Sequence, residues 1–285
     1  MKDSTYNFGT KNKDCTILVN SCDLYEDAWE PFFKLFKIQW PDCPYSFILN
    51  TESKNYKSDF WDITIFKSGD IPWSDRVLNA LETIESEFVV FFLEDFFLMS
   101  PVNVDVFHSA LSLIRENEKI GAICFNPDID SKVWKTKGEY DKYFTELKKG
   151  SIARINAVAA LWRKDFLTKM LKRGENPWEF ESNGTKRGEL CEEIVLCLTD
   201  VKYAPFRFHF CVGYGYGITS KSWLPKNKEL FDKYDIKVDF ENLGWYVPQP
   251  KRQKRSFKEK ISLIYKNPKE LFEMFSVKIK HFFKI

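Results

Sequence analysis

Glu94 and Asp95 stand side by side directly after Phe88–Leu93 (FVVFFL), a continuously apolar run. Such a run has the pattern of a central parallel strand covered on both faces, and open α/β sheets bind ligands beyond the carboxyl ends of their strands. Two carboxylates in that position are costly without a cation nearby. A Mg2+ or Mn2+ shared with a phosphate-bearing ligand meets the need, because these ions take oxygen ligands and usually only one or two protein carboxylates. The plain alternative is a pair that opens a solvated loop or caps a helix. A second acidic group lies in Asn176-Pro177-Trp178-Glu179-Phe180-Glu181. An apolar aromatic neighbour raises a carboxyl pKa toward that of a useful base; alternatively, Asn176-Pro177 starts a helix whose N-terminus the two glutamates favour.

Other reactive residues point less sharply. His108 lies in a predicted helix, where packing explains it, and His281 belongs to a basic tail. His209 alternates with Phe208 and Phe210 and so points away from them on a strand. Gly213-Tyr214-Gly215-Tyr216-Gly217 lacks the strand–turn–helix setting of a phosphate loop and reads as a glycine-rich turn or active-site loop. GxxxxGK[ST], HExxH and GxSxG are absent from the sequence, against a P-loop NTPase, a zincin or an α/β-hydrolase. Seven cysteines form no CxxC pair and read as reduced, buried thiols.

The elements that position these groups are clearest in the first 130 residues, where short β-rich runs alternate with helical patterns as in βαβ units. Thr16–Ser21, Tyr45–Asn50 and Asp62–Phe66 read as strands. Glu26–Trp40 reads as a helix with Trp29, Phe32, Phe33 and Phe36 on one face, stopped by Pro41. A second helix is capped near Ser74, with Val77, Leu78, Leu81 and Ile84 on its inner face. Beyond Asp95 the pattern predicts a helix Val104–Asn117, a strand Gly121–Phe125, a charged loop or flap Asp128–Lys149, a strand Ile152–Trp162 and a helix Lys164–Lys172. A helix around Glu189–Leu198 and aromatic strands near Tyr203–Val212 follow, and Asn183-Gly184-Thr185 reads as a turn.

Composition sets the bounds. With 285 residues, 44% hydrophobic and 17% aromatic content and a net charge of +2, the chain is expected to fold around a sizeable core. Met1–Asp14 has no apolar stretch of the secretory-signal kind, and the six-residue run is far too short to cross a bilayer. The charge divides unevenly: residues 251–285 carry net +8 and residues 1–250 net −6. In the tail, Phe257, Ile261 and Ile264 share one helical face, and Leu271, Phe272, Phe275, Ile279, Phe282 and Phe283 another, with lysines and arginines opposite. Such basic amphipathic helices lie on anionic membrane surfaces; packing on the body of the protein or in a homodimer is the competing reading. Nucleic acid is not expected, since the acidic body offers no matching basic face.

The order of motifs resembles the nucleotide-sugar-dependent glycosyltransferases of the GT-A fold, particularly small bacterial ones that build capsule, O-antigen or related surface polysaccharides. The matching residues are Val19-Asn20-Ser21, Asn50-Thr51-Glu52, Pro72-Trp73-Ser74-Asp75-Arg76, Leu93-Glu94-Asp95-Phe96-Phe97 in the place of the family's DXD motif, and Asn176 to Glu181, over about residues 14–245. The resemblance implies an α/β fold: a GT-A-like, Rossmann-like mixed sheet flanked by helices, comprising residues 1–250, with 251–285 as a C-terminal amphipathic extension. It places Asn20, Ser21 and Glu52, with Trp73 and Asp75, around the nucleotide. Arg76 then reaches the phosphates or fixes an acidic residue. It puts Asp95, helped by Glu94, on a Mn2+ or Mg2+ and the diphosphate, with His209 as a second contact. Glu181, or Glu179 second, becomes the base that deprotonates an acceptor hydroxyl, while an indole face stacks on a sugar ring. The second Asp of a strict DXD is missing, which implies a weak or water-bridged metal.

The implied enzyme transfers a sugar, with inversion, from a UDP-sugar to a glycan or lipid-linked oligosaccharide at the cytoplasmic face of the cell membrane. Two alternatives are a sugar-phosphate nucleotidyltransferase, whose glycine- and lysine-bearing first loop is missing from Thr16–Asp23, and a non-catalytic glycan-binding module.

Overall fold

The computed structural model describes residues 12–125, 135–208 and 216–248. His209, Gly213-Tyr214-Gly215 and the basic tail 251–285 lie outside the described residues, so the readings made on them have no structural counterpart below. The described chain up to Tyr246 forms one unit.

Nine strands form one mixed sheet in the order β3-β2-β1-β4-β8-β5-β9-β7-β6. They are β1 (Asn12–Asn20), β2 (Tyr45–Thr51), β3 (Ile63–Lys67), β4 (Phe88–Leu93), β5 (Ile120–Cys124), β6 (Lys135–Glu139), β7 (Phe144–Leu147), β8 (Ala160–Arg163) and β9 (Ile194–Leu198). The first four run parallel, with β1 paired to β2 on one side and β4 on the other. β8 inserts antiparallel between β4 and β5, and β7 returns antiparallel to β9.

Alternation along the inner strands sorts the core into two layers. Ile17, Val19, Phe47, Leu49, Val90 and Phe92 face one layer, and Leu18, Ile48, Val89 and Phe91 the other. Helix α1 (Trp29–Gln39) covers the first face, where Phe36 meets Phe47 and Phe92 edge-on at 5.2 and 5.7 Å. Helix α2 (Trp73–Glu82) covers the second through Val77, Ala80 and Leu81. Each fully buried phenylalanine here contributes about 1.5–3 kcal/mol. Because the helix after β1 and the helix before β4 lie on opposite faces, the carboxyl ends of β1 and β4 form the switch point at which the sheet opens.

Helix α3 (Val104–Glu116) joins the first layer; α4 (Lys164–Met170) and α5 (Pro177–Glu189) join the second. Farther on, two short strands, β10 (Ile218–Thr219) and β11 (Ser222–Trp223), precede α6 (Lys226–Lys233). Among the described residues no helix is long and apolar enough to cross a membrane, and the six described cysteines are free thiols.

Several sequence readings are corrected. The segment expected to be a charged loop over 128–149 contains β6 and β7, whose hydrogen bonds run to one another and to β9. The expected helix at 189–198 is instead the end of α5 followed by β9, because IVLCL fills a ladder between β5 and β7. The expected strand 152–162 shrinks to β8, since residues 153–157 leave the extended conformation to follow α5. Asn183-Gly184-Thr185 lies within α5 rather than a turn. Its Gly184 is required by packing, since a Cβ there would meet Ile155 at 2.9 Å. The first helix begins as a 3-10 turn over Asp23–Ala28 with a non-helical Tyr25. Ser74 does not cap α2: its hydroxyl accepts from Glu175 N at 2.9 Å.

Candidate functional site

Where β4 ends, Phe96 N donates back to Leu93 O at 3.3 Å, closing a turn that holds Glu94 and Asp95 at the sheet's carboxyl edge. This turn forms one wall of a cavity of about 300 Å³. Ala157 and Val158, on the chain leading into β8, form a second wall, and the first turn of α5 a third. Tyr25, Tyr216 and Ile218 complete it.

The start of α5 is set by local chemistry. Asn176 Oδ1 accepts from Glu179 N at 3.0 Å, Glu179 Oε2 accepts from Asn176 N at 3.0 Å, and Pro177 occupies the first helical position. Residues three apart share a helix face. Trp178 and Glu181 therefore look into the cavity together, while Glu179 is turned aside into the capping box and does not line it. Trp178 is 76% exposed, a large indole left bare at the cavity mouth.

A rail of contacts sets the height of Glu181. Along residues 154–157, Arg154 donates to Gly188 O at 3.1 Å, Ile155 N to Thr185 Oγ1 at 3.1 Å, and Ala157 N to Glu181 Oε1 at 3.0 Å. Arg154 is wholly buried and reaches two further carbonyls, those of Leu147 and Glu193. Its guanidinium thereby joins the end of β7, the last turn of α5 and the approach to β9.

The electrostatics of the cavity are those of carboxylates short of water. Burial, reinforced by the charge of Asp95, pushes the Glu94 carboxyl up to about 8, against a hydrogen bond from Ser21 and the more distant Arg76. Asp95 is also raised by burial, opposed by backbone donors: Gly217 N and Ile218 N reach Asp95 Oδ2 at 3.2 and 3.1 Å. Burial raises Glu181 too, opposed by the Ala157 N–H.

The other expected residues divide into two groups. Asn20, Ser21, Glu52 and Arg76 form one hydrogen-bonded knot behind the turn. Asn50 Nδ2 donates to Asn20 Oδ1 at 2.7 Å and to Arg76 O at 3.0 Å, and Arg76 Nη1 donates to Ser21 O at 2.6 Å and pairs with Glu52 at 3.6 Å. Ser21 Oγ accepts from Trp29 Nε1 at 2.7 Å, and Glu52 Oε2 from Asp23 N at 2.9 Å. Asn20 and Ser21 are buried, and Asn20 Nδ2 and Arg76 Nε have no partner among the described residues. Trp73 and Asp75 lie elsewhere. Trp73 packs on Phe91 and Phe180, and Asp75 accepts from Gly174 N at 2.6 Å and Arg173 at 3.1 Å, tying α2 to the chain before α5.

Sequence reasoning missed Tyr25, the 157–158 wall, Arg154 and Ile218, whereas Tyr216 and Gly217 belong to the glycine-rich segment read as a turn or active-site loop. A Cβ at Gly217 would meet the Phe97 ring at 2.3 Å and Asp95 O at 2.7 Å, so no larger residue lets the bend before β10 reach the turn.

The donor set bears on the metal. Among the described residues no three His, Cys, Asp or Glu side chains converge on a metal position. Two raised carboxylates, one with an oxygen already committed to backbone N–H groups, fit a hard divalent ion that brings phosphate oxygens with it.

No protein-family model matches the chain, and no curated protein matches its sequence. Among solved structures, Staphylococcus aureus TarS 1-349 is 13% identical over 66% of this chain and 58% of that one, with a TM-score of 0.45. The same protein in complex with UDP gives 12%, 65%, 58% and 0.45. A cytidylyltransferase from Leptospira borgpetersenii gives 12% identity over 64% of this chain and 74% of that one, with a TM-score of 0.40. Likeness at this level assigns neither a ligand nor a reaction.

Proposed function

We propose that this chain is a nucleotide-sugar-dependent glycosyltransferase acting on a glycan or lipid-linked oligosaccharide. One observation carries the reading: Glu94, Asp95 and Glu181, which sequence reasoning marked for two separate tasks, line a single cavity at the sheet's switch point with Trp178 at its mouth. A UDP-sugar would lie with its nucleotide toward Glu52 and its diphosphate at Asp95 and Glu94. Asp95 and Glu94 are the residues that would hold a Mg2+ or Mn2+ with the diphosphate, and such an ion would supply positive charge against the leaving group.

The chain's own residues do the rest. Glu181, raised by burial, is matched to accept a proton from an acceptor hydroxyl. As that oxygen bonds to the anomeric carbon, the bond from the same carbon to the diphosphate oxygen breaks, and its electrons leave with the nucleoside diphosphate. Attack from the side opposite the leaving group inverts the anomeric centre. The membrane-facing role of the tail rests on its composition and on the resemblance.

A thermal-shift panel of UDP-, GDP-, CMP- and dTDP-sugars with and without Mn2+ tests the reading, since a ligand of the native state raises its apparent stability. One nucleotide is expected to give a metal-dependent shift and to be released as its nucleoside diphosphate when acceptor is added. No shift and no release across the panel would overturn the proposal.

A further inference from the structure

We infer that the acceptor group admitted to this cavity is a neutral or amino sugar, and that sugars bearing a carboxylate or phosphate are turned away. The word "acceptor" rests on the transferase reading; the selection by charge follows from the walls. Glu94, Asp95 and Glu181 face the cavity, and among the described residues no lysine, arginine or histidine lines it. Arg76, on the far side of the turn, is buried and committed to Ser21 O and Glu52.

When ionised, Asp95 and Glu181 only accept hydrogen bonds, and a protonated Glu94 carries no positive charge, so these walls give an anion no cationic partner and ask chiefly for donors, which hydroxyl and ammonium groups supply. An anionic substituent would lose its water and meet no positive partner, a cost that a site of one sign imposes on wrong ligands. Trp178, Tyr25 and Tyr216 offer apolar faces suited to the C–H side of a pyranose ring. An anion enters favourably only with a divalent cation, which a diphosphate brings and a lone uronate or sugar phosphate does not. The two substrates thus differ in what they must carry into the same space.

The full chain is titrated at constant ionic strength, without divalent cations, with methyl glucoside, glucosamine, glucuronate and glucose 6-phosphate, followed by saturation-transfer NMR. The first two are expected to bind at least about tenfold more tightly than the last two. Val158→Lys puts an ammonium on the partly exposed second wall and is expected to reverse the glucosamine–glucuronate order, while Glu181→Gln narrows the gap. Equal or tighter binding of the anionic sugars, no binding of any sugar, or an unchanged order in a folded Val158→Lys protein overturns the inference. If that variant does not fold, an unchanged gap in Glu181→Gln overturns it. Nucleoside diphosphate release, measured in parallel, separates the two ideas: charge selection without release sinks the transferase and leaves the selection standing, and release without charge selection does the opposite.

Discussion

Gly217 donates its backbone N–H to Asp95 Oδ2 at 3.2 Å, so the acidic turn after β4 holds the strand that closes its own cavity. Gly217 O in turn accepts from Asn227 Nδ2 at 2.8 Å, which passes the grip on to α6. Asp95 therefore has a structural duty as well as the chemical one proposed for it.

Gly217→Ala forces a methyl into the Phe97 ring and the Asp95 carbonyl. Overpacking of this kind costs about 1–3 kcal/mol, and urea unfolding should show that loss. A stability within error of the parent would mean that the strand sits farther from the turn.

Asp95→Asn keeps the shape of the side chain and removes its charge. If the turn neutralises a leaving diphosphate, nucleotide-sugar turnover falls about 100-fold or more, in keeping with loss of a preorganised electrostatic group. Glycan binding measured without donor should persist. Parental turnover in the variant would show that Asp95 does not neutralise the leaving diphosphate, whereas glycan binding with no turnover even in the parent would leave a glycan-binding module as the better description.

Glu94 predicts a pH dependence of stability. A carboxyl raised in the native state retains its proton there after the unfolded chain has released it, so its stabilising contribution is whole below the ordinary value of 4.5 and is lost as pH climbs through about 8. The melting temperature should decline across that window. In Glu94→Gln the decline should be shallower, because of the three raised cavity carboxyls only Asp95 and Glu181 remain; identical slopes would show that Glu94 is hydrated in solution.

Trp178→Ala should leave stability within about 0.5 kcal/mol, as expected for an exposed side chain. Sugar binding at the cavity mouth should weaken, read by the same NMR titration. Thr185→Val removes the acceptor for Ile155 N, and stability should drop by about 1–2 kcal/mol. If the rail sets Glu181, kcat falls in that variant while the KM for donor stays constant.

The parts of this fold legible in the sequence are those where one force dominates. FVVFFL is flanked by β1 and β8 and packed on both faces, and its limits match the expectation to the residue. Trp29, Phe32, Phe33 and Phe36 recur at helical spacing and form the face of α1 that meets the sheet. β6 and β7 were hidden because KTKGE is polar and FTEL only four residues long, and β7 finds its second partner, β9, far along the chain. The start of α5 was legible in Asn176-Pro177, but its length was hidden by Ser-Asn-Gly-Thr, a turn-like composition that serves here to let the helix approach Ile155. IVLCL has no period that separates a strand from a buried helix. In the site, Glu94, Asp95, Trp178 and Glu181 stood out by residue type and neighbours, whereas Tyr25, Val158 and Ile218 carry no chemical signature and reach the cavity only through the chain's path.

The wall formed by Tyr216 and Ile218 also bears on biosynthesis. A nascent chain released from the ribosome only as far as β9 already contains all nine strands of the sheet, yet it lacks the segment that Asp95 grips. The cavity is therefore complete only after that late strand emerges and docks, and a truncated product ending before it would have the scaffold without that wall.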